Sequence, residues 1–119
     1  SRGAESWIVS ASNKWIVQAA GPLAGIEPAK ALGIEVAVEG GVLVDRLVPP
    51  VTFRAGKVDA IEKAAGRRPD VAAGDSYGDY ELLGAANVGI LIPQASTPAA
   101  LVEEAVARGW IVHFDAIVD

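Results

Sequence analysis

Short apolar runs alternate with polar, glycine-containing loops along the whole chain, and no run alternates cleanly between apolar and polar positions. A strand that is buried on both faces reads as a continuous apolar segment, so these runs predict buried strands. They lie at 7–9, 34–39, 71–73, 88–92 and 110–114, with predicted helices at 13–20, 28–32, 57–65, 79–86 and after Thr97. Alternating strands and helices are typical of the α/β class, so we expect a Rossmann-like parallel sheet with helices on both faces.

One pair of strands departs from this parallel pattern. A Gly-Gly pair at 40–41 separates the run at 34–39 from a second valine-rich run at 42–47. Two apolar runs joined by such a pair predict a small antiparallel β-hairpin flap. Ser12 and Thr97 are expected to cap the helices that follow them, because their hydroxyls can accept from free backbone N–H groups there.

The composition limits the kinds of protein that this chain can be. Its 119 residues amount to one domain, and 51% hydrophobic residues are enough to build a core. It has no cysteine and one histidine, which excludes a disulfide scaffold and a zinc site of sulfur ligands. The net charge of −5 argues against nucleic acid as a partner. The uncharged run at 88–102 is too short and too polar to span a membrane, so we expect no membrane partner either.

Two carboxylates follow one of the predicted core strands. Ligands bind beyond the carboxyl ends of the strands in parallel sheets, so polar residues at those ends are the first candidates for a site. Asp75 and Asp79 stand four residues apart directly after the run at 71–73. Together they are hard oxygen donors suited to Mg²⁺, which usually takes one or two carboxylates from the protein. Alternatively, Asp75 begins a turn and Asp79 caps the next helix.

Ser10 and Lys57 are two further candidates for a site. The Ser10 hydroxyl ends an apolar strand and, with the N–H groups of the next helix, could hold an anion. Lys57 stands at a predicted helix start, where the helix dipole disfavours a cation, and such a placement indicates a function. The alternatives are an ordinary strand-end serine and a solvated surface lysine.

Other conspicuous side chains are expected to be structural. His113 is expected to be a core or edge residue of the last strand, and Arg67 and Arg68 to lie in a solvated loop. The three tryptophans are expected to pack between helices and sheet; they are Trp7, Trp15 and Trp110. Tyr77 and Tyr80 flank the acidic loop, where one of them could line a substrate pocket or both could pack.

The order of these features resembles that of the haloacid dehalogenase (HAD) superfamily. Ser10 follows an apolar strand, Gly56-Lys57 opens a helix, and Gly-Asp-Ser-Tyr-Gly-Asp at 74–79 precedes another helix. The chain is most similar to the phosphoserine-phosphatase-type branch, including phosphorylcholine-phosphatase-like enzymes, over residues 7–92. The hairpin followed by Pro-Pro-Val-Thr-Phe-Arg-Ala-Gly-Lys is also similar to that branch. The resemblance implies a Mg²⁺-dependent phosphatase that hydrolyses small phosphomonoesters through an aspartyl-phosphate.

The resemblance also implies catalytic roles for two of the candidates. Ser10 would hold the transferring phosphoryl group, with the backbone N–H groups of Ala11 and Ser12 beside it. Lys57 would pair with the phosphate and with the nucleophile. These roles agree with phosphoryl-transfer chemistry, which depends mostly on positioning and on neutralising charge.

By the same resemblance, Asp75 is the direct Mg²⁺ ligand and Asp79 is a ligand or supports one. The family's first motif, Asp-x-Asp after the first strand, is absent from the nine residues ahead of Ser10. The nucleophile, the general acid–base group and one metal ligand are therefore expected to come from elsewhere. Residues 1–119 are accordingly expected to be the C-terminal part of one HAD-like core domain, without its first strand and its cap region.

The missing first strand would lie between the strands at 7–9 and 71–73, according to the resemblance. Without it, two core strands would expose unpaired backbone edges, which is costly and favours aggregation. We therefore expect an N-terminal segment of the same protein, or a second subunit, to supply this central strand. Direct pairing of the two strands in a rearranged sheet is the alternative.

These observations leave more than one function open. The preferred hypothesis is a HAD-type phosphatase that is inactive as this chain alone and takes a small phosphorylated substrate. The alternatives are a catalytically inactive phosphate- and Mg²⁺-binding or interaction module, and a remnant without function. The presence of Ser10, Lys57, Asp75 and Asp79 together favours the phosphatase. The identity of the substrate and the oligomeric state stay open. Members of this family occur both in the cytoplasm and outside it, and we favour a cytoplasmic location for this protein.

Overall fold

The computed structural model describes residues 4–114 of the chain. Strands and helices alternate, as the apolar pattern predicts. The strands are β1 (Ile8–Asn13), β2 (Ala31–Glu39), β3 (Val42–Val48), β4 (Val71–Gly74), β5 (Val88–Leu91) and β6 (Ile111–Val112). The α-helices are α1 (Lys14–Ala20), α2 (Ala55–Ala65), α3 (Tyr80–Ala85) and α4 (Ala99–Ala107), and short 3-10 turns span Gly21–Ala24, Pro28–Lys30 and Tyr77–Asp79.

The six strands form two three-stranded sheets, with the orders β1-β2-β3 and β4-β5-β6. The second sheet is parallel throughout, whereas the first is mixed, because β1 and β2 are parallel and β2 and β3 are antiparallel. The expected α/β class and the hairpin flap are therefore present. The Rossmann-like parallel sheet is not confirmed in detail, because the first sheet is mixed, and β1 and β4 do not pair with each other.

The hairpin extends beyond the parallel part of the first sheet. The ladder between β1 and β2 ends at the pair Asn13 and Ile34, and from Glu35 onward β2 pairs with β3. The turn at Gly40 and Gly41 uses positive φ angles of 60° and 79°, which glycine adopts without steric cost. The hairpin therefore rises from the carboxyl end of the parallel strands, where α/β folds bind ligands.

The core is built around the second sheet. Leu83 of α3, Leu91 of β5 and Leu101 of α4 are fully buried, and Ile61 of α2 packs with them. Burying each such leucine contributes about 1.5–3 kcal/mol to folding. These contacts hold three helices against β4 and β5, which fixes the loop after β4 where the carboxylates lie.

A cavity separates the two sheets at their unpaired edges. Within residues 4–114, β1 pairs with β2 alone and β4 pairs with β5 alone. The cavity has a volume of 760 Å³. Residues of both sheets line it, among them Val9, Val71 and Ala72, together with Trp7 just before β1. The resemblance in the sequence places the expected central strand between these two edges.

Several predicted helix boundaries need correction. Asn13, not Ser12, caps α1, because its Oδ1 accepts from the backbone N–H groups of Trp15 and Ile16. Residues 28–32 do not form a helix: a 3-10 turn covers Pro28–Lys30, and β2 begins at Ala31 because those residues pair with β1. None of the described helices is long and apolar enough to cross a membrane.

The prediction for α4 also needs correction. Thr97 does not cap this helix, because its hydroxyl accepts from the N–H of Gln94 and donates to the carbonyl of Asp75. Pro98 occupies the cap position. The hydroxyl of Thr97 therefore ties the loop after β5 to the acidic loop after β4.

Candidate functional site

Ser10 lies inside β1 and not at its end, because the strand runs on to Asn13. The register with β2 shifts at this point, so residues 10–12 face the single residue Gly33. A side chain on Gly33 would clash, because its Cβ would lie 2.8 Å from the carbonyl oxygen of Ser12. Such bulges are frequent next to binding sites, since they free backbone groups from the ladder. Within the bulge, the Ser10 Oγ accepts from the N–H of Ser12 at 3.0 Å.

Thr52 connects the bulge to the segment that precedes α2. It is 2% exposed, and its hydroxyl donates to the carbonyl oxygen of Ser10. Hydrogen bonding is necessary for a polar group buried this deeply, and this bond satisfies it. The sequence analysis missed Thr52, because a threonine five residues before a helix lysine carries no recognisable signal.

Lys57 lies in the first turn of α2 and is buried. The approach of this helix to the preceding segment requires Gly56, since a Cβ there would lie 1.6 Å from the Val51 carbonyl oxygen. The Lys57 Nζ donates to Oδ1 of Asp79 at 2.5 Å, and both residues are only 7% exposed. The alternative of a solvated surface lysine is therefore wrong.

Asp79 closes the acidic loop with its second oxygen. The backbone N–H of Asp75 donates to Oδ2 of Asp79 at 3.2 Å, and the Asp79 side chain makes no capping bond to α3. Gly74 allows this arrangement, because a Cβ there would lie 2.5 Å from Asp79 atoms. The capping interpretation of Asp79 is therefore wrong: its carboxylate faces Lys57 and the loop.

Asp75 presents its carboxylate at the surface. It is exposed, and within the described part of the chain no hydrogen bond or ion pair engages that carboxylate. Its backbone is held on two sides, by the bond to Asp79 and by the Thr97 hydroxyl, which donates to the Asp75 carbonyl at 2.7 Å. A fixed backbone with an open carboxylate suits a ligand-binding role.

The structure thus brings Lys57, Asp75 and Asp79 together through direct bonds. Ser10 joins them through the Thr52 hydrogen bond and through the packing of α2 on β1. Among residues 4–114, no hydrogen bond joins the Ser10 hydroxyl to the side chains of Lys57, Asp75 and Asp79. Ala11 and Ser12 are exposed on the bulge.

The metal-ligating capacity of the site consists of two carboxylates. The described residues contain no group of three or more histidine, cysteine, aspartate or glutamate side chains that could hold a metal ion. Mg²⁺ usually keeps several waters and takes one or two carboxylates plus substrate phosphate, so Asp75 and Asp79 fit its needs. Each Asp79 oxygen has one hydrogen bond and retains a second lone pair for a further interaction.

A network of charged and aromatic side chains lies beside the acidic loop. Arg54 bonds Glu81 with two nitrogens, at 2.9 and 2.8 Å, and these bonds hold the pKa of Glu81 below its ordinary value. The Tyr80 hydroxyl donates to Glu104 at 3.0 Å, and this bond lowers the pKa of Glu104. A cavity of 220 Å³ lies among Arg54, Tyr77, Tyr80 and Glu104.

The remaining expectations have mixed outcomes. Trp15 is 40% exposed, so its assignment to packing is wrong, while Trp7 and Trp110 are partly buried against the core. His113 follows the edge strand β6 and is exposed, and its backbone N–H donates to Leu91. Arg67 and Arg68 are exposed and paired with Asp70 and Glu62, as expected for a solvated loop; these four side chains form two surface ion pairs.

No protein-family model matches the sequence, and no curated protein matches it either. Solved structures do resemble the fold. A protein of unknown function from Bordetella pertussis Tohama I is 27% identical over 92% of this chain, with a TM-score of 0.75. A conserved protein of unknown function from Anaerococcus prevotii DSM 20548 is 24% identical over 91% of this chain, with a TM-score of 0.71.

The third similar structure has a family name. It is a HAD family hydrolase from Salmonella enterica serovar Typhi, 19% identical over 87% of this chain, with a TM-score of 0.65. This likeness shows that the described chain has a HAD-like fold, in agreement with the resemblance in the sequence. The chain spans only 32%, 50% and 35% of the Anaerococcus, Bordetella and Salmonella chains.

Proposed function

We propose that this chain is part of a Mg²⁺-dependent phosphomonoester hydrolase of the HAD type. The observation that carries the proposal is the buried pair of Lys57 and Asp79 next to the open carboxylate of Asp75. A lysine buried against one carboxylate is a costly arrangement, because both charges lose water. It becomes useful where a second anion, such as a phosphoryl group, must be held at the same place.

Each residue of the site has a task in phosphoryl transfer. Lys57 holds the phosphoryl oxygens. The Ser10 hydroxyl and the Ala11 N–H donate hydrogen bonds to them, and the Ser12 N–H joins once it leaves the Ser10 Oγ. Asp75 and Asp79 would hold Mg²⁺, and the charge neutralisation that the ion supplies when bound would act on the phosphate. Phosphoryl transfer depends mainly on preorganised hydrogen-bond donors and cations, because the protein contributes little covalent chemistry.

The nucleophile comes from a segment that binds between the two sheets. Support comes from the unpaired edges of β1 and β4, the 760 Å³ cavity that both line, and the larger size of the similar structures. A parallel strand in this place would end beside β4 and therefore beside Lys57 and Asp79. We propose that it carries Asp-x-Asp and is an N-terminal segment of the same protein or a second subunit.

Reconstitution tests the proposal. The chain is mixed with Mg²⁺, an aryl phosphate and a polypeptide that carries a valine-rich strand followed by Asp-x-Asp. We expect turnover that needs all the components and that stops when the first aspartate is replaced by asparagine. A matched control polypeptide has the same strand with Asn-x-Asn. Binding of the polypeptide without turnover would contradict the phosphatase.

The second candidate is a module that binds phosphate and Mg²⁺ without turnover. It is favoured by one observation, that the described residues provide no third carboxylate for a metal. In the reconstitution, this candidate predicts that inorganic phosphate binds to the chain with Mg²⁺ and that the added polypeptide changes neither the affinity nor the turnover. The ligand in either case is a small phosphorylated molecule.

A further inference from the structure

Arg54, the residue before α2, has a strained backbone. Its φ and ψ angles are 55° and −129°, and it is the only residue other than glycine with a positive φ among residues 4–114. A side chain at positive φ is unfavourable, so the surrounding bonds must hold the residue there. Such outliers cluster at functional sites, where the structure around them imposes the conformation.

Three bonds hold Arg54, and each leads to the site. Its backbone N–H donates to the Gly78 carbonyl at 3.1 Å, which joins it to the loop between Asp75 and Asp79. Its carbonyl accepts from the Lys57 N–H at 3.0 Å and so starts the turn that carries this lysine. Its guanidinium bonds Glu81, two residues beyond Asp79.

Glu81 engages the guanidinium of Arg54 through its Nε and one terminal nitrogen. Two of its nitrogens bond the Glu81 carboxylate in the fork geometry that is strongest for this pair. It also lies over the ring of Tyr80, 5.8 Å from the centroid. The contacts with Glu81 and Tyr80 tie the side chain to α3, and through it they hold the backbone of Arg54 in place.

We propose that Arg54 is a positioning residue that fixes Lys57 against Asp79, with Glu81 as its anchor. The strained turn at Arg54 sets the direction in which α2 begins, and the Glu81 bond compensates for the strain. The Lys57 ammonium thereby stays in one place beside Asp79. The relevance of this positioning to phosphoryl transfer rests on the proposed function. The coupling of the Arg54–Glu81 pair to the Lys57–Asp79 pair does not.

The test is side-chain NMR of the four lysines in the folded protein, with any bound partner polypeptide retained. A fixed Lys57 shows two distinct ε-proton signals, whereas a mobile lysine shows one. We expect these signals to merge in Arg54→Ala and in Glu81→Gln. The matched control is Arg68→Ala, which removes an ion pair with Glu62 at the other end of α2 and should leave Lys57 unchanged.

A second variant guards against loss of folding. Arg54→Gly accepts the positive φ without strain and lacks the guanidinium, so it should fold even if Arg54→Ala does not. Merged Lys57 signals in folded Arg54→Gly support the proposal. The proposal is overturned if Arg54→Gly keeps two distinct Lys57 signals with the wild-type separation. It is overturned equally if the melting temperature falls while those signals stay unchanged.

The reconstituted enzyme gives an independent readout. In Arg54→Gly we expect kcat to fall about 10–100-fold while KM stays within about twofold, because a displaced cation costs mainly in the transition state. Arg54→Lys keeps the charge but cannot bond Glu81 with two nitrogens. If this variant has nearly the wild-type kcat, positioning by the two-nitrogen bond is contradicted. If the wild-type assembly has no turnover, the proposed function fails, and the NMR result alone decides the role of Arg54.

Discussion

The Lys57 ammonium and the Asp79 carboxylate lie 2.5 Å apart although 22 positions separate them in the chain. Both are buried, so the pair connects the start of α2 to the loop after β4 in a region with little water. Breaking such a pair by removing one partner is costly, because a lone charge is then left buried. The pair is therefore a stability determinant as well as the centre of the proposed site.

We expect Lys57→Met to lower the free energy of unfolding by about 3–5 kcal/mol, because Asp79 loses its partner in a buried place. Denaturant unfolding measures this loss. The matched control is Lys63→Met on the exposed face of the same helix, which should change stability by less than about 0.5 kcal/mol. The double variant Lys57→Met/Asp79→Leu should recover much of the loss, and equal losses in Lys57→Met and the control would contradict the prediction.

Asp75→Asn should weaken Mg²⁺ binding about tenfold or more, because loss of even an indirect contact to a metal costs that much. Titration calorimetry of the assembled protein with MgCl₂ measures the change. Asp59→Asn is the control, since Asp59 is an exposed carboxylate on α2 and away from the acidic loop. Equal affinities of wild type and Asp75→Asn would remove Asp75 from the metal site.

Gly74→Ala and Gly84→Ala should have opposite effects on stability. A Cβ at Gly74 would lie 2.5 Å from Asp79 atoms, so we expect a loss of about 1–3 kcal/mol together with weaker Mg²⁺ binding. A Cβ at Gly84, inside α3, would come no closer than 3.5 Å to a flexible arginine. We expect a gain of about 0.4–1 kcal/mol there. Thermal and denaturant unfolding of both variants check the contrast, which losses of equal size would refute.

Acid should remove the contribution of the Arg54–Glu81 pair to stability. Hydrogen bonds from Arg54 hold the pKa of Glu81 below its ordinary value in the folded protein. A lowered folded pKa means that the stabilisation is present above the unfolded value, about 4.3, and is lost as pH falls through the folded value. We expect wild type to be more stable than Glu81→Gln at pH 7, with the difference shrinking below about pH 4.3. A difference that is constant down to pH 2.5 would contradict this.

The strands of the second sheet and the helices packed on it were predictable from the sequence, because most are short segments that end at glycine or a polar loop. Helix α2 is an example: its end at Ala65 follows from Gly66, which adopts a φ of 79° that other residues resist. The first sheet was harder to predict. The boundary of β2 was misplaced by three residues, because pairing with β1 draws Ala31 to Gly33 into the strand despite the weak strand preference of that segment.

The candidate site was predictable to the level of residue types. Lys57, Asp75 and Asp79 were identified from their order and spacing. The pairing of Lys57 with Asp79 was outside the reach of the sequence, since it depends on how α2 packs against the loop after β4. Arg54 was missed for a similar reason, because two of the bonds that hold it are to Gly78 and Glu81, which lie far from it along the chain.

Local pattern was therefore sufficient for the α/β class, the hairpin and the acidic loop, because the helices, strands and turns involved depend mainly on neighbouring residues. Contacts at long sequence separation determined the rest. The division into two sheets reflects the unpaired edges of β1 and β4. The burial of Lys57 beside Asp79 and the bonds of Arg54 to Gly78 and Glu81 depend on the packing of α2 against two loops. Such packing forms only when the whole core assembles.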